Sequence, residues 1–246
     1  MARVIVVGSI NQDVTVTVDR FPSPGETLSG TSLTYSLGGK GANQAAAAAH
    51  SGTTVVFVGA LGSDPSGQRL RCDLASHGVD VTHLREVNGP SGTALITVAS
   101  SGENTIILDA GANATVTVEP AKASLFPAPS DIVVLQAEIP ERANAEALAW
   151  AHSFGARVLL NLAPARPTDP ALMARTDILV VNETEAGLTL GMPAPASPME
   201  AIGVARALRG LGPKHVMVTL GADGAAWASG SEAGHCPALT LGEAVD

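Results

Sequence analysis

Residues 37–44 read LGGKGANQ and run directly into AAAAAH at residues 45–50. A glycine-rich turn that carries a lysine and opens an alanine-rich helix is typical of loops that hold phosphate groups. A Walker A loop is excluded, because Lys40 is followed by Gly41 rather than by a hydroxyl residue. The dinucleotide fingerprint fails as well, since Gln44 stands where its third glycine is required. Two interpretations stay open: a wall that another ligand approaches closely, with free amides at the helix start, or a plain tight turn.

The composition indicates a globular protein whose partners are small molecules. The chain has 246 residues, 46% of them hydrophobic and 15% charged, and a formal net charge of -9 at pH 7. A chain this acidic, without clustered Lys and Arg, lacks the positive footprint of nucleic-acid binding. No apolar run approaches the ~20 residues of a membrane span, and residues 1–13 do not have the pattern of a signal peptide. We expect no nucleic-acid partner and no membrane partner.

Motif spacing argues against two classes of hydrolytic enzyme. The six histidines show no HExxH or HxxxH spacing, and no serine lies in a G-x-S-x-G motif. Cys72 and Cys236 belong to no CxxC pair, so neither a disulfide framework nor a zinc knuckle is indicated. Cysteines in the reduced state predict a cytoplasmic protein.

The hydrophobic pattern predicts a doubly wound α/β fold. Short apolar runs, typical of strands buried on both faces, lie at residues 4–7, 55–58, 132–135, 158–160, 178–181 and 216–220. Helical patterns between them cover residues 42–51, 67–77, 141–154, 183–190 and 199–211. This alternation indicates one mainly parallel sheet with helices on both faces, formed by a single domain over residues 1–246.

A second, smaller sheet is predicted where apolar residues alternate with polar ones. Residues 13–19 (DVTVTVD), 93–99 (TALITVA) and 104–110 (NTIILDA) have the alternation of half-exposed antiparallel strands. The serine, glycine and asparagine between the last two segments favour a hairpin turn. We expect a small sheet within residues 13–37 and 93–110 that is a lid over a site, a dimer surface or both.

Polar residues follow two of the predicted buried strands. GSINQD at residues 8–13 places Asn11 and Asp13 after the first strand, and Glu138 ends the segment IVVLQAE. Ligands of open α/β sheets bind at these carboxyl ends, where carboxylates suit the capture of sugar hydroxyls. The alternatives are structural: Asp13 is then a strand-edge charge, and Glu138 accepts from the amide of a neighbouring helix.

Two further stretches have a structural and a functional interpretation. Asn182 and Glu185 have the spacing of a capping box, and a capping box is compatible with a second role beside a phosphate. The glycines within TLGADG at residues 219–224 allow a tight turn over a nucleotide, or a hairpin into AAWAS.

The order of these motifs resembles the ribokinase family of carbohydrate kinases. The resemblance rests first on GSINQD at residues 8–13 and GGKGANQA at residues 38–45. Further motifs follow in the family's order: PGET (24–27), VGALGSDPSG (58–67), GVDV (78–81), GTALI (92–96), GEN (102–104), GANA (111–114), LQAEIP (135–140), VNETEA (181–186) and VTLGADGA (218–225). Together they extend over essentially the whole chain.

The resemblance implies sites for two substrates, ribose or a similar sugar and ATP. For the sugar it implies contacts from Asn11, Asp13, Gly39, Lys40, Gly41, Ala42, Asn43 and Glu138. For the nucleotide it implies contacts from Asn182, Thr219, Leu220, Gly221, Ala222, Asp223 and Gly224. It also implies Mg²⁺ organised indirectly by Glu185, and a monovalent cation, K⁺, held in part by Asp246. A homodimer through the small sheet is the family's usual assembly.

The resemblance further implies a catalytic base and an amide-lined anion hole. In the family they lie in a segment rich in glycine and alanine that follows a Val-Asp pair such as Val245 and Asp246, where this sequence ends. We therefore assign no catalytic base and expect the last helices of the fold to be missing from the chain. Loss of base and anion hole would cost orders of magnitude in rate.

The function that the resemblance implies is ATP-dependent phosphorylation of D-ribose at its 5-hydroxyl. Phosphoryl transfer requires mainly that two substrates are positioned and that charge is neutralised, and the implied contacts meet this requirement. Two alternatives stay open. One is a kinase for another pentose, deoxyribose or a nucleoside, and the other is a non-catalytic sugar-binding paralogue.

Overall fold

Two sheets and six α-helices organise residues 2–239, the part of the chain that the structure, a computed structural model, describes. The strands are β1 (Arg3–Val7), β2 (Asn11–Val18), β3 (Ser32–Gly38), β4 (Thr54–Gly62), β5 (Asp80–Val87), β6 (Gly92–Ala99), β7 (Asn104–Asp109), β8 (Ile132–Gln136), β9 (Arg157–Asn161), β10 (Ile178–Asn182), β11 (His215–Thr219), β12 (Ala225–Ser229) and β13 (Glu232–Cys236). The α-helices are α1 (Lys40–His50), α2 (Pro65–Ser76), α3 (Glu141–Ser153), α4 (Pro170–Arg175), α5 (Glu183–Leu190) and α6 (Pro198–Arg209).

The large sheet has the strand order β13-β12-β11-β10-β9-β8-β1-β4-β5. Its strands from β11 to β5 are parallel, and β12 and β13 continue the sheet antiparallel at one edge. The predicted doubly wound, mainly parallel sheet is confirmed. The sequence pattern missed β5, because an edge strand that buries only Leu84 fully carries no continuous apolar run. It also missed α4, whose six residues are too few for a clear helical period.

Alternate residues of the central strands pack into two separate cores. Ile5 and Val7 on β1 contact the layer that contains α3 to α6, and Val6 contacts the layer that contains α1 and α2. All three side chains are fully buried. A strand covered on both faces needs apolar residues at every position, which explains the unbroken apolar runs of the sequence.

The layer that holds α1 and α2 does not extend over the β10–β12 part of the sheet. Val180, Met217 and Trp227 are paired across β10, β11 and β12 and therefore share this face. Met217 is 42% exposed, whereas its neighbours Val216 and Val218 are buried on the opposite face. Within residues 2–239 this part of the large sheet is covered on one side only.

The second sheet has four strands in the order β3-β2-β6-β7. Its β2–β3 and β6–β7 pairs are antiparallel, and β6 and β7 form the predicted hairpin. The expectation of purely antiparallel strands is wrong for β2 and β6, which are parallel. A parallel pair needs a long crossover, and here the crossover includes α1, β4 and α2.

One face of the small sheet carries an exposed apolar row that crosses all four strands. Cross-strand pairing aligns Tyr35, Val14, Leu95 and Ile107 in this order, and we call these four residues the outer row. Tyr35, Leu95 and Ile107 are exposed, and Ile107 is 68% exposed. Residues of the opposite parity, such as Asp13 and Ala94, face a cavity between the two sheets.

Candidate active site

A cavity of about 320 Å³ opens at the carboxyl ends of β1 and β8. From β1 the chain proceeds to β4 on one side and returns to β8 on the other, so this is a topological switch point of the sheet. The polar wall comes from Asn11, Asp13, Gly39, Lys40, Asn43 and Glu138, and the apolar wall from Ala94, Ile96, Ile106, Leu108 and Pro164. Six of the eight residues predicted for the sugar thus line one cavity, and the remaining two, Gly41 and Ala42, are buried in α1 and do not line it.

The start of α1 is capped by the protein itself. The amide of Lys40 donates to Glu138 Oε2 at 3.0 Å, and the amide of Gly41 donates to Ser9 Oγ at 3.3 Å. The amide of Ala42 donates to the carbonyl oxygen of Ser9 at 2.9 Å. The expectation of free amides at this helix start is therefore wrong, and a phosphate has no unpaired first-turn amide to bind here. The loop lines a cavity rather than cradling an anion.

Gly39 and Gly41 allow the tight approach of this loop to residues 8–11, which connect β1 to β2. Gly39 has φ +90°, and a Cβ there would lie 2.9 Å from the backbone of Ile10 and Asn11. A Cβ on Gly41 would lie 2.7 Å from the backbone of Ser9. Side chains at either position would push the start of α1 away from residues 8–11 and break the contacts with Ser9 that cap the helix.

Glu138 connects the segment that follows β1, the start of α1 and the cavity. Ser9 Oγ donates to its Oε2 at 2.6 Å, so both this hydroxyl and the Lys40 amide hold one carboxylate oxygen. The structural alternative, acceptance from a helix amide, is thus realised. Its Oε1 has no hydrogen-bond partner among residues 2–239 and is free to accept from a ligand. The residue does not end a strand as expected, because β8 ends at Gln136 and the chain turns before Glu138.

Asp13 presents a carboxylate that the protein leaves incompletely paired. Its Oδ1 is buried and has no hydrogen-bond partner within residues 2–239. Burial raises the pKa of the Asp13 carboxyl above its usual range, and the nearby negative charge of Glu138 raises it further. A buried acceptor without a donor is costly, which is typical of a group that awaits a ligand.

Gly38 leaves the space that the Asp13 carboxylate occupies. A Cβ on Gly38 would overlap all three atoms of the Asp13 carboxyl group. The glycine is therefore required by a side chain on the neighbouring strand rather than by its own backbone angles.

Asn113 is a site residue that the sequence did not identify individually. It is 1% exposed and follows β7 in a 3-10 turn, where it contacts Asn11 and the backbone of Ile10. The GANA motif at residues 111–114 was the available signal, although nothing in it pointed to a contact 102 residues away. A second cavity, of about 360 Å³, shares Asn11 and Glu138 with the first and is also lined by Asn113.

The residues predicted for the nucleotide lie together at the carboxyl ends of β10 and β11. Asn182 and Thr219 are paired in register at the ends of these strands. Residues Leu220, Gly221, Ala222, Asp223 and Gly224 form the tight 3-10 turn that follows. The structural alternative also holds here, because the turn leads into β12, which pairs antiparallel with β11.

Asn182 and Glu185 form the predicted capping box at the start of α5. Asn182 Oδ1 accepts from the Glu185 amide at 2.8 Å, and Glu185 Oε2 accepts from the Asn182 amide at 2.9 Å. The other Glu185 oxygen has no protein partner among residues 2–239, and the residue is half-buried. Asp246, predicted for the monovalent cation, lies outside the described residues. No group of three or more His, Cys, Asp or Glu side chains within residues 2–239 is arranged to hold a metal ion.

A larger cavity, of about 660 Å³, lies between α4 and α5. Its lining includes Met173, Leu188 and Leu190, and it contains none of the residues predicted for the sugar, the nucleotide or a metal. We therefore place the candidate active site at the switch point and not in this larger cavity. No helix in the described part of the chain has the length and apolar character to cross a membrane.

Proteins of similar sequence are sugar kinases. The chain is 40% identical over 223 residues to the ribokinase of Haemophilus influenzae, and this alignment covers 89% of this chain and 72% of that protein. It is 36% identical over 248 residues to the ribokinase of Bacillus subtilis, and this alignment covers 100% of this chain and 80% of that protein. It is also 32% identical over 246 residues to a deoxyribokinase of Salmonella typhi, which covers 99% of this chain and 80% of that protein.

Solved ribokinase structures have the same fold. The ribokinase of Giardia lamblia superposes with a TM-score of 0.90 at 29% identity, over 100% of this chain and 79% of that chain. The ribokinase of Arabidopsis thaliana in complex with ribose and ATP superposes with a TM-score of 0.85 at 33% identity, over 96% of this chain and 78% of that chain. The family model for pfkB carbohydrate kinases matches residues 1–246. The chain belongs to the pfkB family of carbohydrate kinases.

Proposed function

We propose that this protein transfers a phosphoryl group from ATP to the 5-hydroxyl of D-ribose. The observation that carries the proposal is the polar cavity at the switch point, where Asp13 and Glu138 each offer a carboxylate oxygen that the protein leaves unpaired within residues 2–239. The names of the relatives support ribose and ATP as the substrates.

The lining of the cavity is complementary to a sugar. Hydroxyl groups both donate and accept, so they pair with the acceptors Asp13 and Glu138 as well as with the donors Lys40 and Asn43. A volume of about 320 Å³ suits a small ligand. The apolar side chains of the small sheet exclude water from the hydroxyl that reacts, which is the role we assign to this sheet as a lid.

We assign the nucleotide to the ends of β10 and β11, with Asn182, Thr219 and the turn at residues 220–224 beside its phosphates. Mg²⁺ neutralises phosphate charge in phosphoryl transfer and keeps several waters when bound to proteins. The unpaired oxygen of Glu185 fits an indirect, water-mediated contact with such an ion. A monovalent cation, K⁺, at Asp246 completes the assignment. Proton transfer from the sugar hydroxyl is assigned to none of residues 2–239.

A second candidate substrate is 2-deoxy-D-ribose. The deoxyribokinase among the relatives favours it, because that protein covers nearly the whole chain at 32% identity. Both sugars have the same acceptor hydroxyl, so the wall of the cavity rather than the chemistry of transfer decides between them.

We further propose a cytoplasmic homodimer that forms through the small sheet. The outer row presents a continuous apolar surface, and burial of Leu95 and Ile107 against a second copy would remove it from water. Cys72 and Cys236 are free and exposed, as expected of a protein from a reducing compartment.

Calorimetric titration with sugars tests the proposed function, because binding depends on residues of the cavity alone. We expect D-ribose to bind, and Asp13→Asn to weaken the binding by about tenfold or more through loss of a charged acceptor. Asp73→Asn makes the same change at a half-buried carboxylate on α2 that does not line this cavity, so it is the matched control and should leave the affinity unchanged. Absence of ribose binding, or equal binding by the Asp13→Asn variant, would overturn the assignment.

Two comparisons distinguish the alternatives. Tighter binding of 2-deoxy-D-ribose than of D-ribose would favour the deoxyribokinase function. ADP release from ATP and Mg²⁺ that requires ribose supports the kinase, whereas binding of ribose without any turnover by the full-length gene product supports a non-catalytic sugar-binding protein.

A further inference from the structure

We propose that Asn113 is a positioning residue that fixes the side-chain amide of Asn11, so that Asn11 presents its Nδ2 to the sugar cavity as a donor. The inference rests on the proposed function, because it assigns a role within the same sugar site. It is carried by the hydrogen bonds that join Asn113, in the 3-10 turn at Gly111–Thr115, to Ile10 just before β2 and to Asn11 at the start of β2.

The first step concerns the side-chain amide of Asn113, whose orientation follows from the donor and acceptor groups of the Ile10 backbone. The Ile10 amide can only donate, and the atom that accepts from it at 3.0 Å is therefore Asn113 Oδ1. The Asn113 Nδ2 must then lie on the other side of the amide, where it donates to the Ile10 carbonyl oxygen at 3.1 Å. The amide and the carbonyl group of Ile10 together thus exclude the flipped orientation of the Asn113 side chain.

The second step transfers this orientation to Asn11. Asn113 Nδ2 also donates to Asn11 Oδ1 at 2.7 Å. If the Asn11 amide were flipped, its NH₂ group would point at the NH₂ group of Asn113, and two donors cannot form a hydrogen bond. Asn11 Oδ1 is therefore held away from the cavity and its Nδ2 faces it. Within residues 2–239 this nitrogen has no protein acceptor, although Asn11 lines both cavities.

The third step concerns what the donor does in the cavity. Asp13 and Glu138 contribute acceptors, and an outward Oδ1 at Asn11 would add another acceptor next to two acidic groups. A sugar hydroxyl that donates to a carboxylate has lone pairs left, and the Asn11 amide nitrogen supplies a donor for them. The relay from Ile10 through Asn113 to Asn11 therefore makes the polar wall complementary to hydroxyl groups instead of uniformly accepting.

Gly92 supports the inference independently. It is paired with Asn11 across β2 and β6, and a Cβ on Gly92 would overlap both Asn113 Nδ2 and Asn11 Oδ1. Only glycine leaves room for the hydrogen bond between the two asparagines.

A double-mutant cycle on ribose affinity tests the inference. Asn113→Asp keeps the acceptor for the Ile10 amide but cannot donate to Asn11, so the Asn11 amide turns and the donor is lost. We expect the dissociation constant of D-ribose to rise by about tenfold or more in Asn113→Asp. In an Asn11→Ala background the same substitution should change it less than twofold, because Asn113 acts through Asn11. An equal loss in both backgrounds would overturn the inference.

A control substitution separates positioning from stability. Thr176→Val removes a buried hydroxyl that donates to Leu172 O at 2.9 Å, at the amino end of β10 and far from the cavity. We expect it to lower the melting temperature and to leave ribose affinity unchanged. A comparable loss of affinity in Thr176→Val would show that destabilisation alone explains the effect of Asn113→Asp.

Hydrogen exchange of the side-chain amides tests the orientation in the unsubstituted protein. We expect the Asn113 side-chain NH₂, which donates to two acceptors, to exchange slowly, and the Asn11 NH₂ to exchange fast and to shift with D-ribose. Slow exchange at Asn11 with fast exchange at Asn113 would overturn the inference. If D-ribose does not bind at all, the proposed function fails, and the exchange rates still decide the orientation of the two amides.

Discussion

Asp13 illustrates a conflict between function and stability in a single side chain. Its carboxylate lies between two sheets, has a buried oxygen without a protein partner among residues 2–239, and is repelled by Glu138. A folded protein that holds an ionised carboxyl in this way loses part of its stability. The cost is understandable if the group binds a sugar hydroxyl, which supplies the missing hydrogen bond.

We therefore expect Asp13→Asn to raise the melting temperature although it weakens ribose binding. Because burial and Glu138 raise the pKa of Asp13, its ionised form destabilises the folded state above that pKa, and the penalty vanishes in acid, below the ordinary value of 3.8. The increase in melting temperature caused by Asp13→Asn should therefore be larger near neutral pH than in acid. Thermal unfolding followed by circular dichroism at both pH values measures it. A lower melting temperature at neutral pH would contradict the prediction.

A glycine substitution tests the space around the same carboxylate. Gly38→Ala places a Cβ within the volume of the Asp13 carboxyl group, so we expect ribose affinity to fall by at least about tenfold. Gly203→Ala is the matched control, because Gly203 is exposed within α6 and a Cβ there meets no atom within 4 Å. The control should stabilise the protein by roughly 0.5–1 kcal/mol through helix propensity and leave calorimetric ribose binding unchanged. Normal ribose binding by Gly38→Ala would show that Asp13 adapts.

Elements were predictable from sequence where their signals are local. Unbroken apolar runs located β1, β4 and the strands from β8 to β11, and the Asn-x-x-Glu spacing located the start of α5. The start of α1 shows the limit of this approach, because its amides are paired by Ser9 and by Glu138, which lies 98 residues away. The role of Asn113 was likewise not predictable from the sequence, since its partners are 102 and 103 residues away in the chain. Tertiary hydrogen bonds of this kind leave no periodic trace in the sequence.

Several elements of the large sheet meet at Asp177, which precedes β10. Its Oδ1 accepts from Lys214 Nζ at 2.7 Å, and its Oδ2 accepts from the Val158 amide at 2.8 Å and lies 2.9 Å from His152 Nε2. Burial acts to raise the pKa of Asp177, but the hydrogen bonds from Lys214, His152 and Val158 outweigh it and hold the pKa below its usual range. The carboxylate thus connects α3, β9 and the start of β11.

We expect Asp177→Asn to lower the free energy of unfolding near neutral pH by roughly 1–3 kcal/mol, because charge-assisted hydrogen bonds are lost. A lowered pKa contributes stability that is present above the ordinary value of 3.8 and is lost as the pH falls through the folded-state value. The difference in the free energy of unfolding between Asp177→Asn and the unsubstituted protein should therefore become smaller in acid. Urea unfolding at neutral and acidic pH measures it, and a deficit that is as large in acid as at neutral pH would rule out the ionic contribution.

On the scale of the whole molecule, the small sheet is both the roof of the cavity and an exposed apolar surface. One face contributes Ala94 and Ile96 to the cavity, and the other carries the outer row. Strands whose two faces are both apolar are unusual for a sheet with one face in solvent. A dimer through the outer row would cover the second face and would hold the roof in place over the sugar.

Substitution of Ile107 tests this assembly. We expect the unsubstituted protein to be a dimer by size-exclusion chromatography with light scattering, and Ile107→Glu to be a monomer, because two glutamates would be buried near each other at a symmetric interface. Met199→Glu is the matched control, since Met199 is 77% exposed on α6, away from the small sheet, and should leave the dimer intact. A dimer that survives in Ile107→Glu would place the interface elsewhere. If the roof depends on the partner copy, monomeric Ile107→Glu should also bind D-ribose more weakly, whereas Met199→Glu should bind it as the unsubstituted protein does.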